Sequence, residues 1–354
     1  MACGFLGVKL RGMVVEIVNT GSELMLGRVL NTHQQWLCRQ LSDLGWVVAR
    51  QVGVADTGPA IQAVVRESLG RADLVVTTGG LGPTSDDITR DLIADLLGRG
   101  LREDPAVLAR ITGYFTARKR RMPERIKLQA LVPEGAIVLP NDYGTAPGLA
   151  MEVRPNPFRP GGAPSWLVML PGPPRELQPM FREKVIPFLE QTLPKPPPFV
   201  CRTIRATGMG ESLVEERVSK PLDALVKRGL ELGYCARLGE VDVRLAAHGL
   251  EAGPIVSEAE KIVTSRLGGF VFGADEEKLE TWLIRVLTER KKTVALAESC
   301  TGGLIASRLT DVPGASAVLL AGLVTYSNEA KLKFLGVQER SIAQHGAVSE
   351  QVAR

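Results

Sequence analysis

Asp86 and Asp87 stand directly after a glycine-rich bend, Thr77-Thr78-Gly79-Gly80-Leu81-Gly82-Pro83-Thr84-Ser85, and that juxtaposition is the first place where residue type and spacing suggest chemistry. Gly79, Gly80 and Gly82 leave backbone N–H groups bare, and a helix expected from Ile88 turns its positive end toward the same spot. An anion such as phosphate suits that description; two carboxylates do not. At ~5 Å and an effective dielectric near ~20, one carboxylate repels a phosphate by roughly 3 kcal/mol. The helix dipole offers only about 0.3–1 kcal/mol in return. Repulsion therefore wins unless a hard divalent cation such as Mg²⁺ bridges carboxylate and phosphate. On that reading Asp86 and Asp87 hold the metal, the three glycines admit the phosphates, and Thr84 caps the helix or touches them. The competing reading is that the acids and hydroxyls of residues 84–87 do nothing but cap.

A second strand-to-helix turn, Glu298-Ser299-Cys300-Thr301-Gly302-Gly303, separates an apolar run at 293–297 from a helix expected over 304–309. A serine at such a turn is by default a cap, and no Gly-x-Ser-x-Gly elbow is present. Helix N–H groups at the turn can also stabilise an oxyanion. A serine nucleophile needs a base, and Thr325-Tyr326-Ser327-Asn328-Glu329-Ala330-Lys331 offers one in Lys331, because a desolvated lysine acts as a base near neutral pH. Cys300, intrinsically more nucleophilic than serine, and His345, as an alternative base, are the rivals.

These turns must be positioned by alternating elements. Residues 14–18, 46–54 and 72–76 read as strands, with helical spacing through Leu30, Leu37, Leu41 and Leu44 and from Gly58-Pro59 to Leu69. That alternation predicts an α/β fold with an open, mostly parallel sheet and helices on both faces. Ligands in such sheets bind beyond the carboxyl ends of the strands, where residues 20–23 and 77–87 both emerge. Pro194-Lys195-Pro196-Pro197-Pro198 reads as a semi-rigid linker, and residues 200–273 as a small α+β unit. Residues 1–12 read as an extension.

The 354 residues are 45% hydrophobic and 23% charged, ordinary globular material sufficient for two or three domains. A net charge of +4 is too mild to indicate nucleic acid, and the cluster Arg118-Lys119-Arg120-Arg121 reads as a solvated helix end. Five scattered cysteines without a CxxC pair fit a reducing cytosol. No signal-peptide core or membrane-length apolar run is present, so a cytoplasmic protein is expected.

Thr20-Gly21-Ser22-Glu23-Leu24, the 79–87 loop, Gly144-Thr145-Ala146-Pro147-Gly148 and Leu170-Pro171-Gly172-Pro173-Pro174, in this order, resemble the CinA (competence/damage-inducible protein A) family. The N-terminal domain of that family is similar to molybdopterin-binding domains. The resemblance runs from Met13 onward, with one departure at Ile126, where many relatives carry Asn shortly before a matching Gln129-Ala130. It implies a three-layer molybdopterin-binding-like domain over 13–192, a linker at 193–199, a KH-like unit over 200–274 and an amidase-type α/β domain over 275–354. It further implies metal-dependent ADP-ribose pyrophosphatase activity in the first domain, with Thr20, Gly21, Glu23, Asn31, Gly144 and Thr145 joining the 79–87 loop around the substrate. The Glu-Ser-Cys-Thr-Gly-Gly and Thr-Tyr-Ser-Asn-Glu-Ala-Lys strings resemble the family's C-terminal domain, which is similar to nicotinamide mononucleotide deamidases. That match implies Ser299 as nucleophile, Lys331 as base, Tyr326 as a hydroxyl that positions or relays the proton, and Thr301 and Gly302 beside the substrate. It also implies a homodimer.

In that family the amidase domain continues past the point where this sequence stops, so weak turnover at the second site is expected. KH modules bind RNA through a basic Gly-x-x-Gly loop, and Gly208-Met209-Gly210-Glu211 has neither the spacing nor the charge, which favours a spacer. Two non-hydrolytic alternatives accompany the enzyme reading. One is a module that captures a molybdopterin-like cofactor; the other is a scaffold in DNA uptake or damage response, against which no basic face or aromatic series is visible.

Overall fold

The computed structural model describes residues 13–354, so the extension expected over residues 1–12 lies outside the described residues. Two compact units divide it, one running to Val200 with His248–Leu250, the other comprising Cys201–Ala247 with Glu251–Arg354.

In the first unit, the fully buried strand β1 (Val15–Thr20) lies between β2 (Val48–Val54) and β3 (Leu74–Thr78), parallel to both. After β1 come α1 (Ser22–Met25) and α2 (Thr32–Asp43); after β2, α3 (Gly58–Leu69); and after β3, α4 (Thr89–Leu96). The strand β4 (Leu101–Glu103), the helix α5 (Pro105–Ala117) and the strand β5 (Leu131–Pro133) follow, β4 and β5 forming a separate antiparallel pair. Then β6 (Ile137–Leu139), β7 (Gly148–Val153) and β8 (Ser165–Leu170) complete a six-stranded sheet in the order β2-β1-β3-β8-β7-β6. β8 runs parallel to β3, whereas β7 is antiparallel to both of its neighbours. Two further helices, α6 (Pro174–Met180) and α7 (Ile186–Thr192), close the unit.

Side-chain alternation makes this a three-layer structure. Ile17 and Val76 point to one face, into a core with Leu37, Leu41, Leu177 and Phe181. Val18 and Val75 point to the other, into a core with Ile61, Val65, Ile93 and Ile111. Each such side chain stabilises the fold by roughly 1.5–3 kcal/mol. The mostly parallel α/β architecture anticipated from the alternating elements is the observed one. Ile126 packs against the second of these cores, while Gln129 donates to Leu81 O at 3.5 Å.

One local expectation is corrected. The helix after the glycine bend begins at Thr89, because Thr89 N–H is captured by Gly80 O at 3.1 Å and residues 84–88 close a tight turn of their own. Asp86 and Asp87 thus sit in that turn, ahead of the helix, and the acid in the first helical turn is Asp91.

The second unit carries β9 (Phe199–Thr207), α8 (Glu211–Lys227), β10 (Glu231–Arg237), β11 (Glu240–His248), α9 (Ala252–Leu267) and β12 (Val271–Ala274). The sheet order is β10-β11-β9-β12, with α8 and α9 packed together, a KH-like arrangement. α9 starts at Ala252, and Pro254 is tolerated because it lies in the first turn. Beyond it lie α10 (Leu279–Glu289), β13 (Val294–Glu298), α11 (Leu304–Thr310), β14 (Leu319–Val324) and α12 (Asn328–Leu335). β13 and β14 pair in parallel over a small core of Ile284, Leu309, Ala315 and Val318. Within this unit Arg205, buried on β9, donates to Asp242 and Glu240, and Arg308 on α11 reaches Glu240 and Glu280.

Candidate functional sites

The loops leaving β1, β2, β3 and β8 at their carboxyl ends enclose a cavity of about 360 Å³. Its lining includes Thr20, Gly21, Glu23, Asn31, Gly79, Gly80, Asp86 and Asp87, so the structure brings together eight of the residues singled out in the sequence. Thr20 Oγ1 donates to Thr78 O at 3.2 Å and thereby ties the first loop to the end of β3. Asn31 caps α2 by accepting from Gln34 N–H at 3.2 Å. Gly80 has φ 67°, and a Cβ there would overlap the Thr89 side chain, so the bend requires glycine for closeness as well as for conformation. The amide of Gly79 donates to Leu170 O at 3.0 Å, so this glycine serves the fold rather than offering its N–H to a ligand.

Asp87 accepts from the Thr84 amide at 2.9 Å and from the Thr84 hydroxyl. The Thr84 hydroxyl, with Asp86's own amide and Arg125, holds the exposed Asp86 carboxyl below the usual carboxylate range. Thr84 and Gly82 shape the loop and are not among the residues lining the cavity. Among the described residues no three His, Cys, Asp or Glu side chains converge as a preformed metal cage. The lining does contain four carboxylates, Glu23, Asp56, Asp86 and Asp87, and neither lysine nor arginine. Those carboxylate oxygens are of the kind a hard divalent ion takes, with Asp86 and Asp87 as the residues that would hold it.

Gly144 and Thr145 are placed elsewhere. They line a separate cavity of about 190 Å³ with Arg110, Tyr114 and Asp142. A Cβ at Gly144 would overlap the Glu176 carboxyl, which accepts from Asn141 Nδ2 at 2.8 Å; the glycine is there to let that carboxylate approach.

Two contributors to the main cavity were missed by sequence reasoning. Asp56, just past β2, accepts from Ser22 N–H at 2.8 Å, and the rule that ligands gather at strand ends would have found it. His33, in the first turn of α2, donates from Nε2 to Gly172 O at 2.5 Å, and no local signal marks it. Burial pushes its imidazole below the ordinary 6.5, against the opposing influence of the Gly172 bond.

The second candidate site is assembled by the parallel pair β13 and β14. Lys331, on α12, is only 6% exposed. Its Nζ lies 3.0 Å from Ser299 Oγ, 2.8 Å from Thr325 O and 3.0 Å from Tyr326 O. Nζ donates to all three oxygens, one hydrogen to each; on loss of a proton the two carbonyls would still accept hydrogens and the lone pair would be turned to the serine hydroxyl. The Glu298 carboxylate, 4% exposed, accepts from Gly303, Ile305 and Ala306 N–H at 3.1, 3.1 and 2.8 Å. Burial opposes ionisation of Glu298, and those amides with the Thr301 hydroxyl outweigh it, holding the carboxyl below 4.5.

This arrangement corrects the expected oxyanion donors. The amides at the start of α11 are taken by Glu298, and Gly302 N–H closes on Ser299 O at 3.0 Å, which leaves the Cys300 and Thr301 N–H groups. Tyr326 contributes its carbonyl to Lys331, while its side chain is 73% exposed. Cys300 and His345, the rivals, are both exposed, and the hydroxyl bonded to Lys331 is that of Ser299.

Three family profiles match: "Probable molybdopterin binding domain" over residues 16–191, "Damage-inducible protein CinA KH domain" over 201–273 and "CinA C-terminal domain" over 276–354. A competence-damage inducible protein of Symbiobacterium thermophilum is 44% identical over 97% of this chain and 79% of its own length. A CinA-like protein of Akkermansia muciniphila is 43% identical over 96% of this chain and 78% of its own length. Among solved structures, the CinA protein of Thermoplasma acidophilum, described as of unknown function, is 30% identical, covering 51% of this chain and 97% of that one with a TM-score of 0.42. No described helix is long and apolar enough to cross a membrane.

Proposed function

The chain belongs to the CinA family, and on that premise we propose a hydrolase with two separate sites serving pyridine nucleotide salvage. The observation that carries the reading is the Lys331 amine between two carbonyls and the Ser299 hydroxyl. At that site the carboxamide of nicotinamide mononucleotide is the substrate. Lys331 Nζ takes the Ser299 proton as Oγ bonds to the carboxamide carbon, and the Cys300 and Thr301 N–H groups face the developing oxyanion. Lys331 returns the proton to nitrogen as the C–N bond breaks and ammonia leaves. Water, deprotonated by the same amine, then attacks the acyl-enzyme and releases the carboxylate product.

At the N-terminal site the substrate is ADP-ribose, whose pyrophosphate is cleaved by water to AMP and ribose 5-phosphate. With four carboxylates and no cationic side chain in the lining, an anionic ligand requires an added cation. A divalent ion held by Asp86 and Asp87 would supply charge neutralisation and polarisation of the phosphoryl group. Thr84 orients Asp87, and Thr20 and Gly80 fix the loops that surround the ligand.

Incubation with ADP-ribose and Mg²⁺, followed by detection of AMP, tests the first site. An acylating probe followed by peptide mapping tests the second, with modification at Ser299 expected; labelling of Cys300 with Ser299 untouched would overturn that assignment. A second reading of the N-terminal site, capture of a pterin-type ligand without hydrolysis, draws on the same acceptor-rich lining. Absence of AMP with every divalent metal would favour it.

A further inference from the structure

His33 is the one aromatic side chain among the residues lining the N-terminal cavity, and it is held in a defined state. The Gly172 carbonyl has no proton to give, so the 2.5 Å contact places the hydrogen on Nε2. Nδ1 is buried and has no partner in the protein. Burial resists protonation of the ring, which leaves Nδ1 as a bare lone pair. A buried acceptor without a donor is destabilising, and a ligand group that donates to it relieves that.

The rest of the lining narrows what that ligand group can be. Glu23, Asp56, Asp86 and Asp87 are acceptors when ionised, and so is a phosphate oxygen, which would meet the Nδ1 lone pair with repulsion. A hydroxyl meets it with a hydrogen bond. We infer that His33 is a specificity-determining residue that accepts, through Nδ1, a hydrogen bond from a sugar hydroxyl of the ligand. The ribose-bearing part of the ligand then lies against α2, and the phosphates lie away from it. This inference rests on the N-terminal reading above, and it adds the part of the substrate that His33 selects.

The test compares AMP release from ADP-ribose with release from analogues that each lack one ribose hydroxyl, with Mg²⁺ present. In the native protein one analogue is expected to lose about tenfold in kcat/KM, the value of one hydrogen bond. In His33→Phe the parent falls to the level of that analogue and the gap closes. In His33→Gln the gap persists, because the amide can donate to Gly172 O and still present an oxygen. A gap that survives in His33→Phe for every analogue would overturn the inference. If no AMP forms with any divalent metal, the hydrolytic reading fails on its own. Nitrogen NMR of the histidines then decides the inference. The chain has three histidines, and the His33 signals are identified by their loss in His33→Gln. Displacement of the Nδ1 resonance toward its hydrogen-bonded position on loading with ADP-ribose supports the inference; an unmoved resonance overturns it.

Discussion

The two candidate sites reach opposite solutions to the problem of placing charge. The N-terminal cavity gathers four carboxylates without a lysine or arginine in its lining, so the protein's own side chains leave the negative charge there uncompensated. The C-terminal site buries a single amine whose side-chain partner is a serine and whose other contacts are carbonyls, so the chain itself supplies that amine's polar contacts. A site of the first kind depends on what the solution supplies; a site of the second kind depends on local backbone geometry. Both hang on glycine-bearing strand-to-helix turns, which shows that the turn sets where chemistry happens and the neighbouring charges set which chemistry.

The sharpest way to break the contrast is to remove the amine's partner. Ser299→Ala is expected to abolish covalent labelling and to lower any amide hydrolysis by at least ~10³-fold, while leaving AMP release unchanged. Chelation of divalent ions should do the reverse, suppressing AMP release and leaving Ser299 labelling intact. Asp86→Asn should lower AMP release by about 10²-fold, as for loss of one electrostatic stabiliser. Labelling that vanished with chelator would show that the two sites are not independent.

A smaller effect separates conformation from charge. Gly80→Ala adds a methyl at φ 67° against Thr89 and should destabilise the first unit by roughly 2–3 kcal/mol, read as a lowered Tm. The smallest expected effect is on acid stability. Glu298 titrates below its ordinary 4.5 in the folded protein, so its contribution is present above 4.5 and is lost as pH falls through the depressed value. Glu298→Gln should flatten that acid limb; an unchanged limb would mean the carboxylate is not what secures the Ser299 turn.

How much of this was legible in the sequence depends on the range of the interaction. The alternating strands and helices of the first unit announce themselves because Ile17 and Val18 must face opposite cores, a local periodicity of two. Ser299 and Lys331 are linked by strings of residues, and the structure places their side chains in contact. The position of Asp86 and Asp87 ahead of α4 was not legible, because it is set by Gly80 O capturing Thr89 N–H across the bend. His33 was invisible for the same reason: its partner, Gly172, lies 139 residues away. The employment of Glu298 as a cap for three amides was hidden too, since it removes from the oxyanion role the very helix end that the sequence recommends.

The ionic chain through Arg205, Glu240, Arg308 and Glu280 carries a consequence for how the second half of the molecule can be divided. Arg205 belongs to the KH-like sheet and is 7% exposed, whereas Arg308 belongs to the helix that follows the Ser299 turn. Excising residues 201–273 would strip Arg308 of Glu240 and leave the helix after the Ser299 turn anchored at one carboxylate instead of two. The middle module is therefore a splint for the serine turn, and the two are better expressed as one piece than as separate domains.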